Sequence, residues 1–155
     1  MKIRPEQLKN NLSHKLSPAY LISGDEPLLA QESADAVRAK AKESGFNGQE
    51  VFYSDGNFDW AQLYNEANAL SLFAEKKIIE IRITNGKPGD KGSKAICELC
   101  NHQNADNLIL VIAPKLEKGA QNSKWVKALE SAGVHIQVWP VSSDQLPKWI
   151  KQRLD

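Results

Sequence analysis

The stretch Ala19-Tyr20-Leu21-Ile22-Ser23-Gly24-Asp25-Glu26-Pro27-Leu28-Leu29 carries the decisive change of periodicity in this chain. Residues 19–23 read as a short buried strand, and Gly24 to Pro27 turn the chain. Pro27 suits the first turn of a helix, because its missing N–H would have no partner there anyway. Asp25 and Glu26 stand near the positive end of that helix, where a carboxylate is stabilised. Leu28, Leu29, Ser33, Ala36, Val37 and Ala41 then give a mostly apolar face, and Gly45 is a plausible stop.

The same alternation continues outward. Val51–Ser54 reads as a second strand, and Asp55-Gly56-Asn57 as a turn. Trp60, Leu63, Tyr64 and Ala67 then recur at helical spacing. Residues 78–83 read as a strand whose alternation puts Glu80 and Arg82 on one, partly covered face. Residues 85–93, with two Lys, three Gly and one Pro, read as a mobile loop. A short helix passes through Ile96 and Leu99. Leu108-Ile109-Leu110-Val111-Ile112 is an unbroken apolar run, the mark of a central parallel strand. Trp125, Val126 and Leu129 mark another helix, closed by Gly133, and residues 134–139 form the last strand, ended by Pro140. Five strands alternating with four helices imply an α/β domain of three layers with a mainly parallel five-stranded sheet. We expect this domain to occupy residues 1–141. Residues 142–155, with Leu146, Trp149, Ile150 and Leu154, read as a linker and the start of a second domain.

The 155 residues suffice for one domain with a real core, and 41% hydrophobic with 25% charged residues is ordinary for a globular protein. A net charge of +1 argues against a strong, autonomous nucleic-acid binder. No apolar run approaches the roughly 20 residues of a membrane helix, and no apolar segment follows Met1–Pro5 as a secretory signal would require. A cytoplasmic location is the resulting expectation. Lys87, Lys91, Lys94, Lys115, Lys118, Lys124 and Lys127 form basic clusters that read as a solvated face.

A strand, a glycine turn and a helix are where a phosphate-binding loop would sit. Counted from Gly24, the second glycine of such a loop falls on Leu29, its lysine on Ala30 and its hydroxyl on Gln31. Pro27 removes a further N–H that would face the anion. No strand ends in paired carboxylates for magnesium: Ile83 leads to Thr84-Asn85, and Ile112 to Ala113-Pro114. The turn has the location of a nucleotide site without its chemistry. Ser23 lacks the preceding glycine of a nucleophile elbow, and His14, His102 and His135 are scattered. Cys97 and Cys100, with His102 beyond, lie late in a helical pattern rather than at its N-terminus. They supply only three candidate ligands, and read as small hydrophobes on an amphipathic helix rather than a redox or zinc site. No catalytic residue, cofactor or metal is expected.

One segment stands apart. In Ala69-Leu70-Ser71-Leu72-Phe73-Ala74-Glu75-Lys76-Lys77 a helical pattern ends on two adjacent large apolar side chains before a charged turn and a strand. Exposed, Leu72 and Phe73 would form a plug for a partner's pocket; pattern alone favours burying them in the domain's own core.

Ala19 to Leu29 with Gln31-Glu32-Ser33, the Leu70–Phe73 segment, Leu108 to Ile112, Lys115-Leu116 and Leu146-Pro147-Lys148-Trp149 together resemble the family of delta subunits of the bacterial DNA polymerase III clamp loader. The similarity runs through the whole chain. It implies an AAA+/RecA-like domain without a functional phosphate loop, in a polymerase holoenzyme. The implied partners are the sliding clamp, the other clamp-loader subunits and, through the assembled complex, DNA. It also implies that Leu72 and Phe73 enter a hydrophobic pocket on the clamp, flanked by Leu70 and Ser71, which reverses the preference for burial. Leu70 stands where the family often has Met, a volume-conserving change. Two other readings remain beside it: a nucleotide-binding switch with an atypical phosphate loop, and a small redox protein using Cys97 and Cys100.

Overall fold

The computed structural model describes residues 2–14, 16–24, 26–54, 60, 61, 63, 76–83, 88–101, 107–116, 119 and 122–138. In chain order the elements are β1 (Lys2–Ile3), α1 (Pro5–His14), β2 (Ala19–Gly24), α2 (Pro27–Glu43), β3 (Phe46–Ser54), β4 (Lys76–Ile83), α3 (Gly89–Asn101), β5 (Asn107–Ala113), α4 (Lys124–Ala132) and β6 (Val134–Val138). The strands form one sheet in the order β1-β6-β2-β5-β4-β3, and every pairing is parallel. The most apolar strands, β2 and β5, are adjacent at its middle, as burial on both faces demands.

Two apolar layers enclose the sheet. Tyr20, Ile22, Ile78, Leu108, Leu110, Val134 and Ile136 meet Leu8, Leu12, Leu29, Val37 and Ala41 of α1 and α2 on one face. Leu21, Ile79, Ile81, Ile109 and Val111 meet Leu63, Ile96, Leu99, Trp125, Val126 and Leu129 on the other. This is the expected three-layer α/β arrangement.

Several expectations need correction. The sheet has six strands rather than five, because Lys2 and Ile3 pair with His135 and Ile136 at the edge. A two-residue strand leaves no periodicity to read. β3 begins at Phe46, ahead of the expected Val51. It is an edge strand with no residue buried before Ser54, and a register shift between Phe46 and Gly48 lets Phe46 pack on the α2 side and Phe52 on the α3 side. Residues 89–93, expected in a loop, begin α3. Gly92 lowers helix propensity, yet a Cβ there would collide with the Trp60 ring, so the glycine admits an indole against the helix.

The face carrying Glu80 is also better covered than its alternation implied: Glu80 is 1% exposed. Arg38 of α2 donates to its Oε1 through Nε (2.8 Å) and Nη2 (2.6 Å), and Gln49 of β3 donates to the same oxygen at 3.2 Å. Arg82 donates to Oε2 at 2.7 Å. Arg38 also donates to Asp35 at 2.7 Å. The carboxylate is thus paired and hydrogen-bonded on both oxygens, the condition for keeping a charge inside a protein. Arg38→Met is expected to cost about 3 kcal/mol of unfolding free energy by urea denaturation, because it leaves a buried charge short of its main partner. Adding Glu80→Leu and Arg82→Met should recover most of that loss.

Candidate functional site

In open parallel sheets ligands gather at the carboxyl ends of the strands, so the turn after β2 is the first place to search. Gly24 holds a positive φ of 148°. A Cβ on it would overlap the carbonyl oxygen of Val138 at the end of β6. The glycine therefore serves a backbone-to-backbone approach, not an approach to phosphate. Glu26 is the N-cap of α2, and its carboxylate accepts from the Leu28 N–H at 3.4 Å, with Pro27 at the first helical position. A helix N-terminus attracts anions through free N–H groups and its positive dipole end. Here one N–H is absent, another faces the chain's own carboxylate, and that carboxylate repels a second anion. The failure of the phosphate loop expected from the residues has this geometric form.

Beside the turn lies an arrangement that the sequence reading did not find. Ser23 Oγ is 2.6 Å from His135 Nε2, and His135 Nδ1 is 2.8 Å from Glu130 Oε1. A carboxylate only accepts, so Nδ1 carries the proton and Nε2 accepts from the Ser23 hydroxyl. These are the partners of a nucleophile, base and orienting acid in the order a hydrolase uses. Their burial decides otherwise: His135 is 0% and Ser23 5% exposed. No carbonyl substrate reaches a serine sealed in this way. The chain of hydrogen bonds instead ties β2, β6 and α4 together. Ser23 and His135 are 112 residues apart, and only the parallel pairing of β2 with β6 joins them.

Cys97 and Cys100 are half-buried on α3 and pack against the core. Burial, with a smaller contribution from Cys97, pushes the Cys100 thiol up to about 12. A thiol so raised is not a thiolate at neutral pH, so Cys100 is a poor nucleophile. His102 lies outside the described residues. Lys91, Lys94, Lys115, Lys124 and Lys127 are exposed, on α3, after β5 and on α4, while Lys87 and Lys118 lie outside the described residues. The proposed plug, Leu70, Ser71, Leu72 and Phe73, also lies wholly outside them.

The sheet order and the three layers are those of an AAA+-like fold. The sequence model of the family described as DNA polymerase III, delta subunit, matches residues 20–138. The DNA polymerase III subunit delta of Escherichia coli is 33% identical over 153 residues, and that of Haemophilus influenzae 30% identical over 155. These alignments cover 99% and 98% of this chain but 45% of each relative. Among solved structures, the DNA clamp loader delta protein of Bacillus subtilis superposes with a TM-score of 0.70 at 16% identity, covering 94% of this chain and 45% of that one. The ORC2 protein of Aeropyrum pernix follows the same fold with a TM-score of 0.54 at 14% identity, covering 96% and 49%. The chain belongs to the DNA polymerase III delta-subunit family and spans somewhat under half the length of its curated relatives. No described helix is long and apolar enough to cross a membrane.

His135 generates a pH dependence. Burial holds its pKa below the ordinary value of 6.5, against the opposing pull of Glu130, and Lys2 adds to the lowering. Below about pH 6.5 the unfolded chain takes up a proton that the folded chain refuses, so stability falls with pH until the folded value is reached. Urea denaturation at about pH 7.5 and about pH 5.5 should show a larger loss for the wild type than for His135→Gln.

Proposed function

We propose that this chain is the clamp-binding domain of a clamp-loader delta subunit. It binds the DNA polymerase sliding clamp through Leu72 and Phe73, with Leu70 and Ser71 flanking them, and helps open the ring for loading onto primed DNA. The observation that carries this reading is the family match over residues 20–138, a span that includes the Leu70–Phe73 segment. The closed turn at Gly24 and Glu26 supports a role in which this domain supplies binding energy and no phosphate chemistry. It weighs against the nucleotide-binding switch.

Full burial of a Leu and a Phe is worth roughly 1.5–3 kcal/mol each. A micromolar complex needs about 8 kcal/mol net, so polar contacts around the plug must add to it. Opening then requires only that the domain bind the strained, opened form of the clamp more tightly than the closed one. Residues 1–141 form this domain and residues 142–155 lead into a second one. The other clamp-loader subunits are further partners, DNA is met through the assembled complex, and the setting is cytoplasmic.

Replacing Leu72 and Phe73 together by Ala should weaken clamp binding at least a hundredfold by surface plasmon resonance, with the circular dichroism of the chain unchanged. Wild-type affinity in a folded double variant would refute the plug.

A further inference from the structure

Phe73 and Lys76, where β4 starts, are three residues apart, so the covalent chain keeps their Cα atoms within about 11 Å at ~3.6 Å per residue. Whatever fixes Lys76 therefore limits where Leu72 and Phe73 can be offered to a partner. Two lysines open β4, and β3 holds each of them. The Lys76 ammonium stands over the Phe46 ring, 5.5 Å from its centroid, within reach of a cation–π contact. Lys77 Nζ lies 3.9 Å from Glu50 Oε1, a weaker hold. Successive side chains of a strand point to opposite faces, so Lys76 is held on the α2 side with Phe46, and Lys77 on the α3 side.

The bulge in β3 makes the first of these contacts possible. Phe46 pairs with Lys76 and Gly48 with Lys77, which leaves Asn47 as an extra residue. Without it, the period of two that puts Phe52 on the α3 side would put Phe46 there as well, away from Lys76. Gly48 suits this tight joint, because a Cβ on it would stand 3.1 Å from the Lys77 Cβ. The ring in turn is placed by α2. The Ser44 and Gly45 N–H groups donate to the carbonyls of Lys40 and Lys42, at 3.1 Å each, and Gly45 at a φ of 101° turns the chain directly into Phe46. Phe46 then packs half-buried against the α2-side core. Support thus runs from the end of α2 through the ring to the residue at which the chain from Leu70–Phe73 joins the sheet.

We infer that Phe46 is a positioning residue for clamp binding: its ring holds the Lys76 ammonium, so that Leu72 and Phe73 are presented from a fixed strand end. The inference rests on the reading of Leu70–Phe73 as the clamp-binding segment. Phe46 acts through Lys76 and makes no contact with the clamp itself. Loss of the ring frees the first residues of β4, and docking must then order backbone that the intact strand end already orders. A cation–π contact at the surface is modest, so its loss weakens binding a few-fold and does not abolish it.

The test is the affinity of the full chain for the sliding clamp by surface plasmon resonance. Phe46→Leu keeps apolar bulk against the core and removes the ring; it should weaken binding about three- to fivefold. Lys76→Gln should weaken it by the same factor. Lys76→Arg should keep wild-type affinity, because a guanidinium also sits over an aromatic face. The double variant Phe46→Leu, Lys76→Gln should bind no more weakly than either single one, since both remove one contact. Urea denaturation of each variant separates a general loss of stability, which would leave the affinity of the folded chain unchanged. Wild-type affinity in folded Phe46→Leu would overturn the inference. Additive losses in the double variant would overturn it too, because Lys76 would then touch the clamp directly. Intact clamp binding after Leu72→Ala with Phe73→Ala would overturn the underlying reading and the inference with it. Binding lost there but unchanged in Phe46→Leu would overturn the inference alone.

Discussion

The backbone of Gly24 lies against the carbonyl of Val138, and that approach decides what the carboxyl edge of the sheet can do. It holds the end of β2 against the end of β6. With Glu26 capping α2 and Pro27 supplying no N–H, the helix terminus is left with a carboxylate where a nucleotide-binding relative of the fold would need free donors. The domain keeps an AAA+-like architecture, and among the described residues this helix terminus sets a carboxylate where a phosphate would be held.

The architecture was legible because the strongest signals were the central ones. The continuous apolar runs at residues 19–22 and 108–112 are β2 and β5, adjacent at the middle of the sheet and buried on both faces. Legibility fades toward the edges. β1 is too short to show a period, and β3 mixes half-exposed residues on both faces around a bulge. Residues 89–93 suggested a loop because the reason for Gly92, the Trp60 ring against it, is a tertiary contact.

Polar residues inside the core were the least legible feature. Glu80 stood on a face that alternation marked as only partly covered, but Arg38 from a helix 42 residues away neutralises it in a buried site. His135 looked isolated, but strand pairing places it against Ser23 and a helix places Glu130 on its other nitrogen. Such groups are satisfied only in the complete fold, so each fixes the relation of several elements at once. Glu80 joins α2, β3 and β4; His135 joins β2, β6 and α4. The proposed clamp contact was reached by a different route. Its residues carry a family pattern and stand outside the described residues, so the resemblance and the family match support it, and no observed geometry does.

The central claim is that this domain acts through contact and without nucleotide. The most direct measurement is the affinity of the chain for the sliding clamp with and without ATP and magnesium, by calorimetry under otherwise identical conditions. The account predicts the same dissociation constant in both. An affinity that changes tenfold or more when ATP is added would mean that the turn at Gly24 still senses a phosphate, and would contradict it.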